Sequence, residues 1–317
     1  MTKTGYFSHP DCKRHDMGRG HPECPERMDA IEDRMIASGL LDVVDRRQAP
    51  LGDLAAIELA HSLDHVESIS GLNQRLQESI EEGGAHLAQI DPDTSMSGGS
   101  YNAMLRGVGA AVAATDAVVA GELENAFCAT RPPGHHACHD RAMGFCVFNN
   151  VAIAAKYALE HHGLKRVAIV DFDVHHGNGT EDIVAGDERI LMVSFYQHPF
   201  YPYGGSTSKA ANLVNLPVPA YTKGNVVRDL VETHWLPRLR EHQPQMIFIS
   251  AGFDAHRDDD LGQMGLVEAD YAWMTQQIKA VAKEHGKGRI VSCLEGGYNL
   301  DALGRSVEAH VRALAGV

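Results

Sequence analysis

The chain lacks the features that mark several large classes of protein. None of its six cysteines stands in a CxxC pair, so their spacing favours reduced thiols over a zinc–thiolate site or a disulfide framework. No run of about 18 apolar residues is present, and we expect no membrane-spanning helix and no membrane partner. The N-terminal residues hold no apolar stretch of signal-peptide length, from which we expect a cytoplasmic protein.

Basic residues are also in deficit. The 28 lysines and arginines are outnumbered by 42 aspartates and glutamates, which gives a formal net charge of −14. An acidic surface repels phosphate backbones, and no basic groove can be identified in the sequence, so we expect no nucleic-acid partner.

What the chain does have is the pattern of an α/β protein. Its 317 residues are 44% hydrophobic, which is enough for a full core. Short apolar runs alternate with longer amphipathic stretches, and this alternation predicts a parallel sheet with helices on both faces. The predicted strands are 126–130, 166–172, 190–195, 245–251 and 289–294. The predicted helices are 25–38, 99–120, 147–162, 224–240, 267–285 and 299–314.

The number of domains follows from the same pattern. No repeat, low-complexity tract or linker interrupts it, so we expect one domain over residues 1–317. In sheets of this kind the ligand site lies beyond the carboxyl ends of the strands. The chemically interesting residues should therefore follow the predicted strands.

The first such stretch is VDFDVHHGNG, which begins inside a predicted strand. Side chains alternate between the two faces of a strand, so Asp171, Asp173 and His175 can project to one side while Phe172 and Val174 point to the other. Buried charges are costly unless they are paired or bound to a metal, and three ionisable groups on one face therefore suggest a cation. The alternative is a hydrogen-bonded loop rich in Asp and His, unless another strand end supplies a further ligand.

A second strand end offers that ligand. The stretch FISAGFDAHRDDD runs from an apolar strand through small residues to Asp254. Two carboxylates and one imidazole with an open coordination position are typical of a catalytic metal site. These ligands suit zinc, and they also suit iron(II), cobalt or manganese. We interpret the run Asp258–Asp260 as a solvated acidic loop rather than a further site.

A third strand end, VSCLEGGYN, carries a different kind of group. Gly296 and Gly297 permit unusual backbone angles and a close approach to a ligand. Tyr298, which follows them, can donate a hydrogen bond to a developing oxyanion. The alternative interpretation is an aromatic side chain that packs on a turn.

Taken together, these stretches resemble the zinc-dependent histone deacetylase family. The similar motifs run in order along nearly the whole chain: GHPECPERM, RPPGHHA, MGFCVFNNVAIAA, VDFDVHHGNGT, SAGFDAHRDDDLG and LEGGYN. Asn178 after HHG is similar to the class II branch and to bacterial histone deacetylase-like amidohydrolases, since class I members usually carry Asp there. The resemblance implies a single-domain α/β protein of the arginase–deacetylase fold, with a central parallel sheet of about eight strands and helices on both faces.

The resemblance also implies roles for individual residues. The three positions of the zinc ligands are matched by Asp173, His175 and Asp254. The other catalytic positions are matched by His135, His136, Asp171, Asn178 and Tyr298. The substrate-binding positions are matched by Asp93 rather than Asp91, Gly144, Phe145, Tyr201 rather than Phe200, and Leu261. A potassium ion is expected beside the zinc, at Asp171, Asp173, His175, Ser194 and the main chain of Phe195.

The implied activity is hydrolysis of an acyl amide, with removal of an acetyl or other acyl group from a lysine side chain or a related amine. The metal would polarise the carbonyl and lower the pKa of a bound water. We expect His136 to move protons because Asn178 gives it no anion, whereas His135 beside Asp171 should be biased towards the charged form. Tyr298 and the metal would then share the oxyanion.

Two alternative functions come from different classes. A binuclear manganese ureohydrolase of the same fold would need further Asp and His ligands for a second metal. A non-catalytic acyl-lysine binding protein would be expected to lack part of the machinery, whereas Tyr298, both tandem histidines and all three ligands are present. We expect His176, the neighbour of His175, either to support the metal ligands from behind or to pack beside them, and we assign it no part in catalysis.

The substrate and the assembly are less well defined by the sequence. Acetylated proteins, other acyl-lysines and small acylated amines all fit the implied chemistry. Leu261 stands where polyamine-selective relatives carry an acidic gatekeeper, so we predict no preference for acetylated polyamines over acetyl-lysine peptides. Members of the family form dimers and tetramers, and we expect a homo-oligomer here.

Overall fold

The computed structural model describes residues 3–204 and 208–317. Within them, ten strands follow one another along the chain: β1 (Thr4–Ser8), β2 (Asp45–Gln48), β3 (Leu87–Asp91), β4 (Thr94–Ser97), β5 (Asn125–Cys128), β6 (Val167–Asp171), β7 (Ile190–Gln197), β8 (Leu213–Val218), β9 (Ile247–Ala251) and β10 (Ile290–Leu294). Strands β3 and β4 form an antiparallel pair, and the other eight form one parallel sheet in the order β2-β1-β5-β10-β9-β6-β7-β8.

Helices cover both faces of this sheet. They are α1 (Glu26–Ala37), α2 (Leu54–Ile57), α3 (Leu63–Glu81), α4 (Ser100–Val119), α5 (Asn150–Glu160), α6 (Asn178–Val184), α7 (Gly224–Leu230), α8 (Leu236–His242), α9 (Glu268–His285) and α10 (Leu300–Ala315). A π-helical turn over Val231–Trp235 joins α7 to α8, and short 3₁₀ turns lie at Pro10–Arg14 and Leu40–Asp42. No helix in the described part of the chain is both long and apolar enough to cross a membrane.

The core lies on both sides of the sheet, as strand β6 illustrates. Its sequence VAIVD is buried at every position. Ala168 and Val170 pack into one hydrophobic cluster, and Val167 and Ile169 pack into the other. Because both faces are covered, the strand is apolar throughout rather than alternating. Its first polar residue, Asp171, therefore marks the point where the strand reaches the edge of the sheet.

The strand order brings four strand ends together. After β5 the chain crosses to β6, β7 and β8, and it then returns to place β9 and β10 between β5 and β6. The loops that follow β5, β10, β9 and β6 consequently emerge side by side at the carboxyl edge of the sheet. In open α/β sheets the ligand crevice forms where the strand order reverses in this way.

The predicted fold class is confirmed, with an eight-stranded parallel sheet between helices. All five predicted strands and all six predicted helices are present within a few residues of their expected bounds, and the helix predicted over 224–240 is α7 and α8 with their π turn. The sequence prediction missed β1, β2 and β8, the β3–β4 hairpin and the helices α2, α3 and α6. Strand β2 is an example of the cause, because its sequence DRRQ is a half-exposed edge strand without an apolar run.

Candidate metal centre and active site

Three of the residues predicted as metal ligands lie together at the carboxyl edge. Asp173 and His175 follow β6, and Asp254 follows the neighbouring strand β9. Their candidate ligand atoms all lie within 4.8 Å of one another, and no second such group of three occurs in residues 3–204 and 208–317. His175 Nδ1 lies 3.0 Å from Asp173 Oδ1 and 3.1 Å from Asp254 Oδ2.

Backbone amides fix the two carboxylates. Asp173 Oδ2 accepts a hydrogen bond from Gly296 N (2.9 Å), and Asp254 Oδ1 accepts one from Val174 N (2.9 Å). The first bond requires a glycine, since a Cβ at Gly296 would lie 2.0 Å from Asp254 Oδ2. These contacts hold each carboxylate while leaving its other oxygen directed at His175.

The electrostatics of this cluster fit a cation. Asp173 and Asp254 are fully buried, and burial of paired anions raises the pKa of Asp254 to about 7, with the charge of Asp173 adding to the effect. Burial alone would lower the pKa of His175, but hydrogen bonds to Asp173 and Asp254 outweigh it and raise that pKa to about 10. Protonated His175 thus supplies a positive charge between the carboxylates of Asp173 and Asp254. A divalent metal would supply that charge instead, because thiolate, imidazole and carboxylate ligands bind metals in their deprotonated forms.

The tandem histidines after β5 have different partners. His135 Nδ1 lies 3.0 Å from Asp171 Oδ2, so this imidazole pairs with a fully buried carboxylate. His136 Nδ1 lies 2.7 Å from Asn178 Oδ1. The side-chain amide nitrogen of Asn178 points instead at two sulfur atoms, Cys138 Sγ (3.5 Å) and that of Met143 (3.4 Å). His136 Nδ1 is therefore the donor to Asn178 Oδ1, which leaves its other ring nitrogen, Nε2, unprotonated in the neutral ring.

This difference in partners separates the protonation states of the two rings. Burial alone would lower the pKa of His135, but the charges of Asp173 and Asp171 outweigh it and raise this pKa well above its ordinary value. Burial lowers the pKa of His136 well below its ordinary value, and the neighbouring His135 and His175 add to that effect. The two ring centroids are only 4.1 Å apart, so one charged and one neutral imidazole stand side by side.

Tyr298 completes the group from the loop after β10. Burial raises the pKa of its phenol well above the ordinary value, and the charge of Asp254 raises it further, so the hydroxyl keeps its proton and can donate it. The Arg27 guanidinium carbon lies 5.1 Å from the centroid of the Tyr298 ring. The Tyr298 ring is edge-on to that of Phe145, with 6.0 Å between the two centroids. Arg27 also donates to the carbonyl oxygen of Gly297, next to the tyrosine (2.7 Å).

A narrow pocket of about 200 Å³ opens above these groups. His136, His175 and Tyr298 lie among its lining residues, and the other lining residues are Asp93, Gly144, Phe145, Phe200, Tyr201, Tyr203 and Leu261. All five residues predicted to bind substrate are thus brought to one pocket. Phe200 and Tyr201 both line it: Phe200 stacks on the His175 ring at 5.4 Å, and Tyr201 stands edge-on to His136 at 5.1 Å.

The wall formed by Gly144 and Phe145 is fixed from the β3–β4 hairpin. Asp93 Oδ1 accepts a hydrogen bond from Gly144 N (3.0 Å), and Thr94 Oγ1 accepts one from Phe145 N (3.0 Å). Both wall residues have left-handed backbone angles, with φ of 59° and 68°. A Cβ at Gly144 would lie 2.5 Å from His136 Cδ2, so the wall approaches the histidine as closely as a glycine allows. Asp91 instead accepts from Asp93 N (2.9 Å) and is not a lining residue.

The residues predicted to bind potassium lie beside the ligand cluster. Asp171 on β6 and Ser194 on β7 are direct partners in the sheet, and both are buried. Phe195 is buried and stacks on Trp235 at 5.5 Å. His176 lies outside the pocket lining, packs against Tyr196 at 4.5 Å, and pairs with a glutamate on α6.

The interpretation of the run Asp258–Asp260 as a solvated loop is wrong for its middle residue. Asp258 and Asp260 are exposed, as expected for a solvated loop, but Asp259 between them is buried. Its carboxylate accepts hydrogen bonds from the backbone amides of Leu261, Tyr298 and Asn299. A run of three identical charges carries no local signal that its middle member points inwards.

Sequence reasoning also missed two buried residues that support the site. Glu295 Oε2 accepts hydrogen bonds from Gly134 N (2.6 Å) and His135 N (3.0 Å), and so it holds the loop of the tandem histidines. Arg27, described above, stands in the GHPECPERM motif far from the other site residues in sequence. Motif letters alone gave neither residue a role, because each acts through backbone groups of a distant segment.

The sheet, the ligand cluster at its carboxyl edge and the adjacent proton-handling groups define a metal-dependent hydrolase of acyl amides. Comparison with known proteins gives the family: residues 21–314 match the histone deacetylase domain, and the chain belongs to the histone deacetylase family.

Individual relatives agree with this assignment. A "Histone deacetylase-like amidohydrolase" of Pseudomonas aeruginosa is 36% identical over 88% of this chain and 73% of its own length. A "Type-2 histone deacetylase 2" of Dictyostelium discoideum is 34% identical over 98% of this chain, which spans only 21% of that protein. The crystal structure of an "HDA15 HD domain" superposes with a TM-score of 0.91 at 29% identity, covering 100% of this chain and 90% of that one.

Proposed function

We propose that this protein is a zinc-dependent deacetylase that removes acetyl or other acyl groups from lysine side chains or related linear amines. The observation that carries the proposal is the pocket. A channel of about 200 Å³ with aromatic walls at Phe145 and Tyr201 ends at His136, His175 and Tyr298. An extended aliphatic stem with an amide at its tip fits such a channel, because its methylene groups bury against the walls while the amide reaches the polar end.

The ligand cluster supports the choice of metal. One buried imidazole and two buried carboxylates leave coordination positions open to water and substrate, as catalytic zinc sites do. Iron(II) and cobalt accept the same ligands. A bound divalent metal would supply Lewis acidity at the acyl carbonyl and lower the pKa of a water bound to it.

We assign His136 the role of general base. Its hydrogen bond to Asn178 holds the ring with Nδ1 protonated, and Nε2 is then the nitrogen that accepts the proton of the attacking water. The same nitrogen returns a proton to the leaving amine. His135, paired with Asp171, stays charged beside it and stabilises negative charge that develops on the substrate.

We assign Tyr298 the role of stabilising the oxyanion. Its phenol keeps its proton, and Tyr298 lines the same pocket as His136, which supports the hydroxyl as a donor to the carbonyl oxygen. Donors of this kind act most strongly when the oxygen becomes an anion, and removing one typically costs about 100- to 1000-fold in rate.

A turnover assay tests the proposal. The purified protein, loaded with zinc, should remove the acetyl group from a fluorogenic acetyl-lysine amide, after which a coupled protease releases the fluorophore, and a chelator should abolish this activity. His136→Asn should reduce kcat by about 100-fold or more, since general acid–base catalysis contributes on this scale. His139→Asn is the matched control, because His139 is an exposed histidine three residues along the same loop. A wild-type protein that binds zinc and an acetyl-lysine peptide without turnover would instead support the non-catalytic binding protein.

The substrate class can be narrowed at Leu261, which lines the pocket. An apolar side chain at this place gives no attraction to the distal ammonium of an acetylated polyamine, so acetyl-lysine peptides should be used at least as well as acetylputrescine. Leu261→Glu should improve kcat/KM for acetylputrescine relative to the peptide, since an added carboxylate attracts that ammonium. A preference of the wild type for acetylputrescine of about tenfold in kcat/KM would contradict the assignment.

The potassium site is part of the same proposal. Asp171, Asp173 and Ser194 carry side-chain oxygens, and His175 and Phe195 would contribute main-chain carbonyl oxygens; oxygen ligands suit a hard cation. Ser194→Ala should weaken activation by potassium while the zinc content stays unchanged. Activity that is the same in sodium, caesium and potassium salts would remove this part of the proposal.

A further inference from the structure

Asp259 is the buried member of the acidic run Asp258–Asp260. Its Oδ2 atom accepts hydrogen bonds from Tyr298 N (2.6 Å) and Asn299 N (3.0 Å), and its Oδ1 atom accepts one from Leu261 N (2.9 Å). Three backbone donors on one carboxylate form a set of charge-assisted hydrogen bonds, which are stronger than neutral ones.

These bonds join two loops that both reach the pocket. The loop after β9 carries Asp254 of the ligand cluster and, further along, Leu261 on the pocket wall. The loop after β10 carries Tyr298, and Asn299 then begins α10 as its N-cap residue. Asp259 is bonded to both loops, so its side chain ties the backbone amide of Tyr298 to the loop that carries Asp254 and Leu261.

The rest of the acidic run makes no comparable contacts with the site. Asp258 is exposed and pairs with Arg305 on α10 at 3.2 Å. Asp260 is exposed. The three aspartates are identical in chemistry and adjacent in sequence, and only the middle one is directed at the backbone of Tyr298.

We propose that Asp259 is a positioning residue for Tyr298, which sets the place of the tyrosine hydroxyl by holding its backbone amide. This inference rests on the proposed function of Tyr298 as an oxyanion donor. Asp259 does not touch the pocket itself; it acts on the rate through the tyrosine, because a reacting group that is misplaced by about 1 Å can lose about 100-fold in rate.

The isosteric amide is the informative substitution. In Asp259→Asn one of the two side-chain atoms becomes an NH₂ group, which must face either Leu261 N or the pair Tyr298 N and Asn299 N. A donor then meets a donor, and at least one of the present hydrogen bonds is lost. Asp260→Asn removes the same charge one residue away and serves as the matched control.

A double-mutant cycle on the zinc-loaded protein tests the inference. Asp259→Asn should lower kcat on the acetyl-lysine substrate by about 10- to 100-fold with unchanged zinc content, whereas Asp260→Asn should stay within about threefold of wild type. In the Tyr298→Phe background, Asp259→Asn should cost less than about threefold, since the group through which it acts is already gone. A loss that is the same in both backgrounds, or a kcat of Asp259→Asn like that of wild type, would overturn the inference.

Two further measurements keep the result decisive. If Asp259→Asn does not fold, Asp259→Glu keeps the charge and moves the carboxylate by one methylene, and the same cycle applies to it. If the wild-type protein shows no turnover, the proposed function fails on its own. Hydrogen exchange of the peptide containing Tyr298 and Asn299 then decides the structural part: faster exchange in Asp259→Asn than in Asp260→Asn supports the inference, and equal exchange overturns it.

Discussion

Gly144→Ala is predicted to disable the enzyme by pushing on His136 from the pocket wall. An added Cβ would lie 2.5 Å from Cδ2, 2.7 Å from Cγ and 3.0 Å from Cβ of that histidine. Non-bonded carbon atoms normally lie about 3.5–4.0 Å apart, so the imidazole or the wall would have to move by about 1 Å. The imidazole is held by its 2.7 Å hydrogen bond to Asn178, and a shift of this size would misdirect its Nε2.

The expected loss is about 100-fold in kcat, which is the scale on which a displaced catalytic group acts. The substitution also places a side chain at φ of 59°, and that strain alone costs about 1–2 kcal/mol of stability. Gly163→Ala controls for the strain, because Gly163 has φ of 64° and an added Cβ there meets nothing within 4 Å. Both variants should lose stability in urea unfolding through this strain, Gly144→Ala should lose more because of its contact with His136, and only Gly144→Ala should lose activity. Equal kcat in the two variants would refute the reasoning.

Three further predictions address single groups. Tyr298→Phe should keep wild-type zinc content and lower kcat by about 100-fold or more with a modest change in KM, because it removes one oxyanion donor; a kcat within a few-fold of wild type would leave the tyrosine a packing role. Asp173→Ala should lose zinc and activity together, whereas Asp171→Asn should keep zinc and lose rate through His135, and metal analysis of both variants would expose a wrong assignment if zinc is lost equally. Burial lowers the pKa of His310 to about 3, so below pH 6.5 the unfolded chain takes up a proton that the folded protein does not, and the free energy of unfolding falls as the pH falls towards 3. About 2 kcal/mol of this loss should appear between pH 7 and 5. Urea unfolding at both pH values should show this part of the loss in the wild type and not in His310→Gln.

The sequence was sufficient for the parts of the molecule where one chemical property decides the structure. Strands such as β6 are continuous apolar runs because both of their faces are buried, and the sequence VAIVD shows this pattern directly. The polar residues that end such runs had to meet at one edge of the sheet, so the cluster of Asp173 and Asp254 could be predicted from strand ends alone.

The parts that could not be predicted depend on contacts between distant segments. Strand β2 is held as an edge strand by pairing with β1, although its sequence DRRQ is polar. Glu295 is bonded to the amides of Gly134 and His135, which are about 160 positions away in the chain. The inward direction of Asp259 likewise depends on where the loop after β10 passes.

The buried acidic side chains of the site have different partners, and these partners indicate which contacts fix the loops that carry the catalytic groups. Asp173 and Asp254 face His175, where a metal can bind, and their charge serves the chemistry directly. Glu295 instead accepts hydrogen bonds from backbone amides of the loop that carries the tandem histidines, and Asp259 accepts them from the loop that carries Tyr298. A buried carboxylate that loses its donors is costly, so each of these two ties a distant segment to a loop of the site. Placement of the catalytic groups therefore relies on hydrogen bonds to buried acids as well as on the apolar core, and isosteric amides at such positions should impair catalysis before they impair folding.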